Sequence, residues 1–122
     1  MEPRPLADRQ TIARVLDTIV RARDPERVVL FGSHAEGTDT WDSDVDLLVV
    51  METRLGPVER VLDIRRLFAQ APCALDILVY TPAEADYWSR VPSSFLHDIL
   101  AHGRVLYERA PAGAGRPVGR AG

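Results

Sequence analysis

Apolar side chains recur along this chain with two different spacings. Positions 12, 15, 16 and 19 are apolar, and this i, i+3, i+4, i+7 spacing predicts an amphipathic helix over 9–22. The mostly apolar runs at 27–31, 45–51 and 75–80 instead predict buried strands. Together the two patterns predict an α/β or α+β domain, with a small mixed sheet of three to four strands and helices packed on it.

Proline, threonine and serine mark the starts of the later helices. Pro57 suits the first turn of a helix over 57–70. Thr81 and Glu84 have the spacing of a capping box, in which each side chain binds the backbone N–H of the other residue. Ser93 or Ser94 is expected to cap a last helix.

The two ends of the chain differ from its middle. Gly103 is expected to end the last helix, and 104–107 predict a short edge strand. Residues 1–8 are expected to form a loose N-terminus. Residues 110–122 are Ala, Gly, Pro, Arg and one Val, which bury too little apolar surface to offset the entropy of ordering, so we expect a disordered tail. One folded domain over 9–109 follows.

The first candidate for chemistry is the pair Gly32 and Ser33, where the first predicted strand ends. A glycine at such a turn lets the backbone approach a ligand closely. Backbone N–H groups of the turn can bind phosphate oxygens, and the Ser33 hydroxyl adds a further donor. This pair therefore predicts a phosphate-binding turn.

The second candidate is a set of aspartates. Asp44 and Asp46 are two residues apart at the start of a strand, so both side chains point to the same face. Two carboxylates about 4 Å apart repel by about 4 kcal/mol at an effective dielectric constant near 20. A cation between them relieves that repulsion, and oxygen ligands favour magnesium.

Asp76 lies one residue into the third predicted strand, between Leu75 and Ile77. An acidic side chain within an apolar strand needs a reason. If the second and third strands are neighbours, Asp76 joins the same cluster, and three carboxylates can hold two metal ions for in-line displacement at phosphorus. The alternative is an acid on an edge strand that simply faces solvent.

These residues resemble the signature of the polymerase-beta-like nucleotidyltransferase superfamily. Gly32-Ser33 is followed by ten residues and then by Asp44-Val45-Asp46 on the next strand, as in that superfamily. The strand that begins Leu75-Asp76-Ile77 resembles the one that carries its third carboxylate. The length is similar to that of the minimal nucleotidyltransferases, and the resemblance covers roughly 9–107.

The resemblance implies a role for each of these residues. Gly32 and Ser33 would hold the β- and γ-phosphates of ATP. Asp44, Asp46 and Asp76 would be the catalytic residues and the ligands of two Mg²⁺ ions, with Asp76 nearest the nucleophile. An acceptor hydroxyl would attack the α-phosphorus, and pyrophosphate would leave.

One part of the signature departs from the family pattern. Members often carry arginine directly after Gly-Ser and again two residues on, where this chain has His34 and Glu36. The segment 34–46 holds five acidic residues and no arginine. A non-catalytic module that binds a nucleotide, or that neutralises a toxin by contact, is therefore an alternative to an enzyme.

The acceptor is the next question. Larger relatives carry a second domain that binds it, and we expect no such domain in this chain. Many minimal nucleotidyltransferases are antitoxins that adenylylate a tyrosine on a small helical HEPN toxin, so the resemblance implies that partner, in a type VII-like toxin–antitoxin pair. Adenylylation of a small molecule such as an aminoglycoside is another alternative, and self-association is left open.

Bulk properties narrow the setting. The net charge of −3 argues against a nucleic-acid partner, which usually meets a basic stripe. Cys73 is the only cysteine, which fits a reducing compartment. The longest apolar run near the site, 47–51, is too short to span a bilayer. We therefore expect a cytoplasmic protein without a membrane partner.

We expect several other side chains to have structural roles only. We interpret His34 as a solvated turn residue and Trp41 as packing for a loop. Tyr87 and Trp88 are interpreted as core residues, and Cys73 as inert.

Overall fold

Four strands form one sheet. They are β1 (Arg27–Phe31), β2 (Val45–Val50), β3 (Leu75–Tyr80) and β4 (Arg104–Glu108). The computed structural model describes residues 9–39 and 44–109. The predictions for 1–8, for Trp41 and for 110–122 lie outside these residues. Strand order in the sheet is β3-β2-β1-β4.

The sheet is mixed, as the sequence predicted. β1 runs antiparallel to both of its neighbours, β2 and β4. β2 runs parallel to β3, with Asp46 opposite Asp76 in the register. A parallel neighbour requires a crossover connection, and the helix α3 (Pro57–Arg65) lies in it. The second and third strands are therefore neighbours, which is the arrangement on which a shared carboxylate cluster depends.

The remaining helices are α1 (Arg9–Arg23), α2 (Ser33–Glu36), α4 (Pro82–Ser89) and α5 (Phe95–His102). Because side chains alternate along a strand, the sheet buries two separate sets of apolar residues. One face packs against Val15 and Ile19 of α1 and Ile64 of α3. The other face packs against Ala85 of α4 and Leu96 and Ile99 of α5. No helix in residues 9–39 and 44–109 is both long and apolar enough to cross a membrane.

Two helices differ from the prediction, one in where it ends and one in being present at all. The helix predicted over 57–70 ends at Arg65. Beyond it the backbone tightens, since the N–H groups of Leu67 and Phe68 donate to carbonyls three residues back, each at 3.0 Å. The helix α2 was not predicted, because four residues are too few to show a helical period.

A buried arginine joins α3, α4 and the end of β3. The Arg60 guanidinium donates to the Glu84 carboxylate at 2.7 Å and to the backbone carbonyls of Leu55 at 3.1 Å and Val79 at 3.4 Å. The same Glu84 oxygen accepts from the Thr81 N–H at 2.9 Å, which completes the predicted capping box. We call Arg60, Glu84 and Thr81 the clamp.

The end of α5 lies directly against β1. Gly103 follows this helix, and a Cβ added there would lie 2.6 Å from the Ile99 carbonyl oxygen and 2.9 Å from the Leu30 carbonyl oxygen. Such a contact leaves room for glycine alone. Ser94 caps the start of α5, accepting from the His97 N–H at 3.0 Å. The close approach holds the last turn of α5 beside the end of β1.

Candidate active site

The site is built where β1 ends at Gly32. This glycine has φ 74° and ψ −156°, in the region that favours glycine. A Cβ added at Gly32 would overlap Oδ2 of Asp46 and lie 3.2 Å from its Cγ. The backbone at Gly32 therefore lies directly against the Asp46 carboxylate, and both its conformation and its lack of a side chain are required.

Ser33 is the first residue of the one-turn helix α2, with Gly32 as its N-cap, rather than part of an open turn. The N–H groups of Ala35 and Glu36 both donate to the Gly32 carbonyl at 3.1 Å. Gly37 ends the turn with φ 77°. The first N–H groups of a helix have no carbonyl partner within it, so the strand-to-helix junction directs donors outward.

The three predicted aspartates lie at the starts of two parallel strands. Asp46 and Asp76 are register partners on β2 and β3. Asp46 is half-buried, and it is the one residue of β2 that is not fully buried. Asp76 and Asp44 are exposed. β3 is an edge strand, and Asp76 is exposed on it, as the alternative of an acid facing solvent predicted. Asp76 is nevertheless adjacent to Asp46, as the carboxylate cluster requires.

The electrostatics of Asp46 reflect this crowding. Burial, the largest cause, and the negative charges of Asp76 and Asp44 together raise the pKa of Asp46 from 3.8 to about 6. His34 acts in the opposite direction and lowers it. A carboxyl group whose ionisation is opposed by burial and by two like charges is a functional-site candidate.

His34 is not the solvated turn residue that we expected. It lies in α2 with a side chain only 6% exposed, and its Nδ1 is 3.6 Å from Oδ2 of Asp39. The sequence could not show this burial because α2 itself was not foreseen. Glu36, in contrast, is exposed.

A cleft of about 310 Å³ opens over these residues. Gly32, Asp46 and Asp76 line one side of it. Asp98 and His102 of α5 line it as well, with His102 Nδ1 3.1 Å from Asp98 Oδ1. We call this hollow the carboxylate cleft.

The sequence interpretation missed the contribution of α5. Asp98 and His102 stand four residues apart and so share one face of that helix. That spacing was a usable signal, but only the packing of Gly103 on β1 shows that this face looks onto the aspartates. Glu36 also lines the cleft, so four carboxyl groups and one histidine are found among its described lining residues.

The donor chemistry suits magnesium. Within residues 9–39 and 44–109, no three His, Cys, Asp or Glu side chains form a group placed to enclose a metal ion by themselves. Magnesium commonly takes only one or two carboxylates and fills its other positions with water and substrate phosphate oxygens. Asp46 with its neighbours Asp44 and Asp76 offers that kind of oxygen set.

Two further interpretations are settled by burial. Cys73 is 5% exposed and belongs to the core, which fits the inert role expected for it. Tyr87 and Trp88 are not core residues, because they are 61% and 40% exposed. In the short helix α4 only Ala85 is buried.

Comparison with known proteins agrees with this geometry. The family model described as polymerase beta, nucleotidyltransferase matches residues 13–112. The chain therefore belongs to the polymerase beta nucleotidyltransferase family. A relative from Methanocaldococcus jannaschii, provisionally named protein adenylyltransferase MJ0604, is 30% identical over 83 residues, which cover 67% of this chain and 78% of the relative.

A solved structure shows the same fold. A provisionally named nucleotidyltransferase from Sulfolobus solfataricus superposes with a TM-score of 0.59 at 18% identity, covering 82% of this chain and 79% of that one. A structure described as a toxin-antitoxin with AMP-PNP gives a TM-score of 0.49 at 20% identity, covering 82% of this chain and 73% of that one. The second likeness is too weak to carry an argument, and the first confirms the predicted nucleotidyltransferase fold.

Proposed function

We propose that this chain is a magnesium-dependent adenylyltransferase that moves AMP from ATP to a hydroxyl group of a partner protein. The observation that carries the proposal is the pair Asp46 and Asp76, side by side on parallel strands with the Gly32 backbone against Asp46. Membership of the nucleotidyltransferase family and the adenylyltransferase name of the relative support the same chemistry.

Each residue has a place in this reaction. Backbone N–H groups at Gly32 and Ser33 bind the β- and γ-phosphates of ATP. Asp44, Asp46 and Asp76 would hold two Mg²⁺ ions, which supply neutralisation of the phosphate charge when bound. Asp76 accepts the proton of the acceptor hydroxyl, whose oxygen forms a bond to the α-phosphorus while the bond to the pyrophosphate oxygen breaks.

The charge of the cleft argues for the kind of acceptor. Glu36, Asp76 and Asp98 are exposed carboxyl groups at or near its mouth. They repel a nucleic-acid strand and attract a basic protein surface. We propose that the acceptor is a tyrosine on a small helical HEPN-type toxin, for which this chain is the antitoxin. ATP as the donor and a single, buried cysteine suit a cytoplasmic reaction.

One observation favours a second candidate. Glu36 lines the cleft at a position where an arginine would hold triphosphate, and His34 is largely buried. A non-catalytic module that neutralises its partner by contact would tolerate both. The two candidates differ in one measurable product, because only the enzyme adds mass to its partner.

The test mixes the protein with ATP, Mg²⁺ and a HEPN-type protein encoded beside its gene, and measures the mass of that protein. We expect a gain of one or more AMP units, which the Asp44→Asn, Asp46→Asn double variant abolishes. Asp86→Asn, on the exposed face of α4, serves as the matched control and keeps full activity. Inhibition of the partner without any gain in mass would establish the contact-only module instead.

A further inference from the structure

A second hollow adjoins the carboxylate cleft. It has a volume of about 240 Å³, and its walls include Tyr80 of β3, Trp88 of α4 and Phe95 of α5. Phe95 lines both this hollow and the carboxylate cleft. We call the hollow the aromatic groove. The shared phenylalanine makes the groove and the cleft neighbours.

The groove meets the sheet at Tyr80, at the other end of β3 from Asp76. Because side chains alternate, Asp76, Leu78 and Tyr80 lie on the same face of β3. At about 3.3 Å per residue, Tyr80 lies roughly 13 Å along the strand from Asp76. No other strand borders the outer edge of β3 within the described residues. A molecule that contacts both Asp76 and the groove must therefore span about this distance.

The groove is lined by aromatic surface that the fold leaves uncovered. Phe95 is 59% exposed and Trp88 is 40% exposed. Phe95 packs edge-on against Phe31 with ring centroids 6.0 Å apart, which holds its ring at the boundary between groove and cleft. Exposed aromatic side chains beside a hollow are typical of protein interaction sites, where tryptophan supplies much of the binding energy.

The charge around the groove selects among partners. Asp98 has a side chain 69% exposed on the cleft side of Phe95. Asp86 of α4, in contrast, is paired with Arg90 at 3.0 Å and does not line the groove. Asp76 lies at the far end of the same strand face. An apolar groove with exposed carboxylates on one side suits a basic polypeptide that carries an apolar or aromatic side chain.

We propose that the aromatic groove docks the acceptor polypeptide. An apolar or aromatic side chain of a basic segment enters between Trp88 and Phe95, and the acceptor hydroxyl on the same segment reaches Asp76. An extended segment covers that distance in about four residues. The proposal rests on the proposed function, since it assigns the surface that holds the acceptor of that reaction.

The fluorescence of Trp88 reports whether the aromatic groove is occupied. The chain has two tryptophans, so Trp41→Phe leaves Trp88 as the single emitter. Its fluorescence, excited where tyrosine does not absorb, is measured during titration with a copolymer of arginine and tyrosine. Two control titrations are run in the same way, one with a copolymer of glutamate and tyrosine and one with Mg-ATP alone. We expect a saturable change with the arginine copolymer and none with the other two.

The matched variants are Trp88→Ala and Val58→Ala, which remove exposed apolar side chains of which only Trp88 lines the groove. In the natural background, Trp88→Ala should weaken binding of the arginine copolymer about tenfold and lower AMP incorporation into it at limiting concentration. Nucleotide affinity of Trp88→Ala should change by less than about twofold, and in Val58→Ala copolymer binding, labelling and nucleotide affinity should all change by less than about twofold.

Other results overturn the proposal in distinguishable ways. A change in Trp88 emission with Mg-ATP alone, with weaker nucleotide binding in Trp88→Ala, would make the groove a nucleobase site. Dimers that Trp88→Ala dissociates would make it a contact between two copies. Unchanged copolymer binding in Trp88→Ala, with labelling that still requires Asp46, would remove the groove and leave the proposed function. Failure to bind nucleotide would remove both.

Discussion

The two ends of strand β3 treat charge in opposite ways. At its start, Asp76 stands beside Asp46, and ionisation of Asp46 is opposed by burial and by the charges of Asp76 and Asp44. Beyond its end, Glu84 accepts from the Arg60 guanidinium and the Thr81 N–H, and these hydrogen bonds lower the pKa of Glu84. One end places like charges together, and the other pairs opposite charges.

This contrast distinguishes an end of β3 that stabilises the fold from an end that we propose to be the site of chemistry. The clamp satisfies a buried cation with a carboxylate and two carbonyls, as stability requires. The carboxylate cleft retains repulsion that a fold selected for stability alone would remove. Such unfavourable placement is expected where binding of a cation and its substrate restores the balance.

The largest effect should come from breaking the clamp. Arg60→Met leaves the Glu84 carboxylate without its cation and two carbonyls without a donor, so we expect a loss of about 2–3 kcal/mol in the free energy of unfolding. Because Glu84 is 42% exposed, we expect a value at the lower end for a buried pair. Urea unfolding followed by circular dichroism measures it.

Arg90→Met is the control for that variant. The Arg90–Asp86 pair has side chains 75% and 63% exposed, so its loss should cost less than about 0.5 kcal/mol. Equal stabilities of Arg60→Met and Arg90→Met would mean that the clamp is not a structural element.

A smaller effect of opposite sign is expected in the cleft. Asp46→Asn removes the charge that Asp76 and Asp44 oppose, and should stabilise the protein by about 1–2 kcal/mol at pH 7. The shift from 3.8 to about 6 would correspond to about 3 kcal/mol at full strength, and solvent screening of this half-buried group reduces it. Destabilisation of Asp46→Asn in the same urea experiment would contradict the claim that like charges at the start of β3 destabilise the fold.

The pH dependence of the free energy of unfolding should distinguish the two ends of β3 by the smallest of these effects. The pKa of Asp46 is raised on folding, so the folded state binds more protons and stability rises as pH falls from about 6 to 3.8. The pKa of Glu84 is lowered, so its contribution is present above 4.5 and is lost as pH falls through the lower folded value.

Subtracting the Asp46→Asn curve from that of the natural chain isolates the first of these effects. The stability difference between the two proteins should shrink between pH 6 and pH 4. A difference that stays constant over that interval would show that Asp46 titrates normally.

Much of this arrangement could be predicted from the sequence. The strand bounds 27–31 and 75–80 were correct because an apolar run between turn residues has few other interpretations. The Asp46–Asp76 pair followed from strand alternation once the two strands were neighbours, as they are. The capping box at Thr81 was a local motif that the structure confirms.

The remainder depends on tertiary contacts that no local pattern shows. The burial of Arg60 and of His34 arises from neighbours distant in sequence or from a helix too short to have a period. Tyr87 and Trp88 are adjacent, so they project about 100° apart on α4, and only Ala85 of that helix is buried. The contribution of α5 to the cleft required the packing of Gly103 on β1.

The central claim is that the carboxylates of the cleft form a magnesium–nucleotide site, and ligand-induced stabilisation tests it most directly. At a hundredfold excess over its dissociation constant, Mg-ATP should stabilise the natural chain by about 2.7 kcal/mol and raise its melting temperature. Asp46→Asn should lose this response, while Asp86→Asn, on exposed α4, should keep it. ATP without magnesium should have little effect on any of the three. An equal rise in melting temperature for Asp46→Asn and the natural chain would contradict the claim.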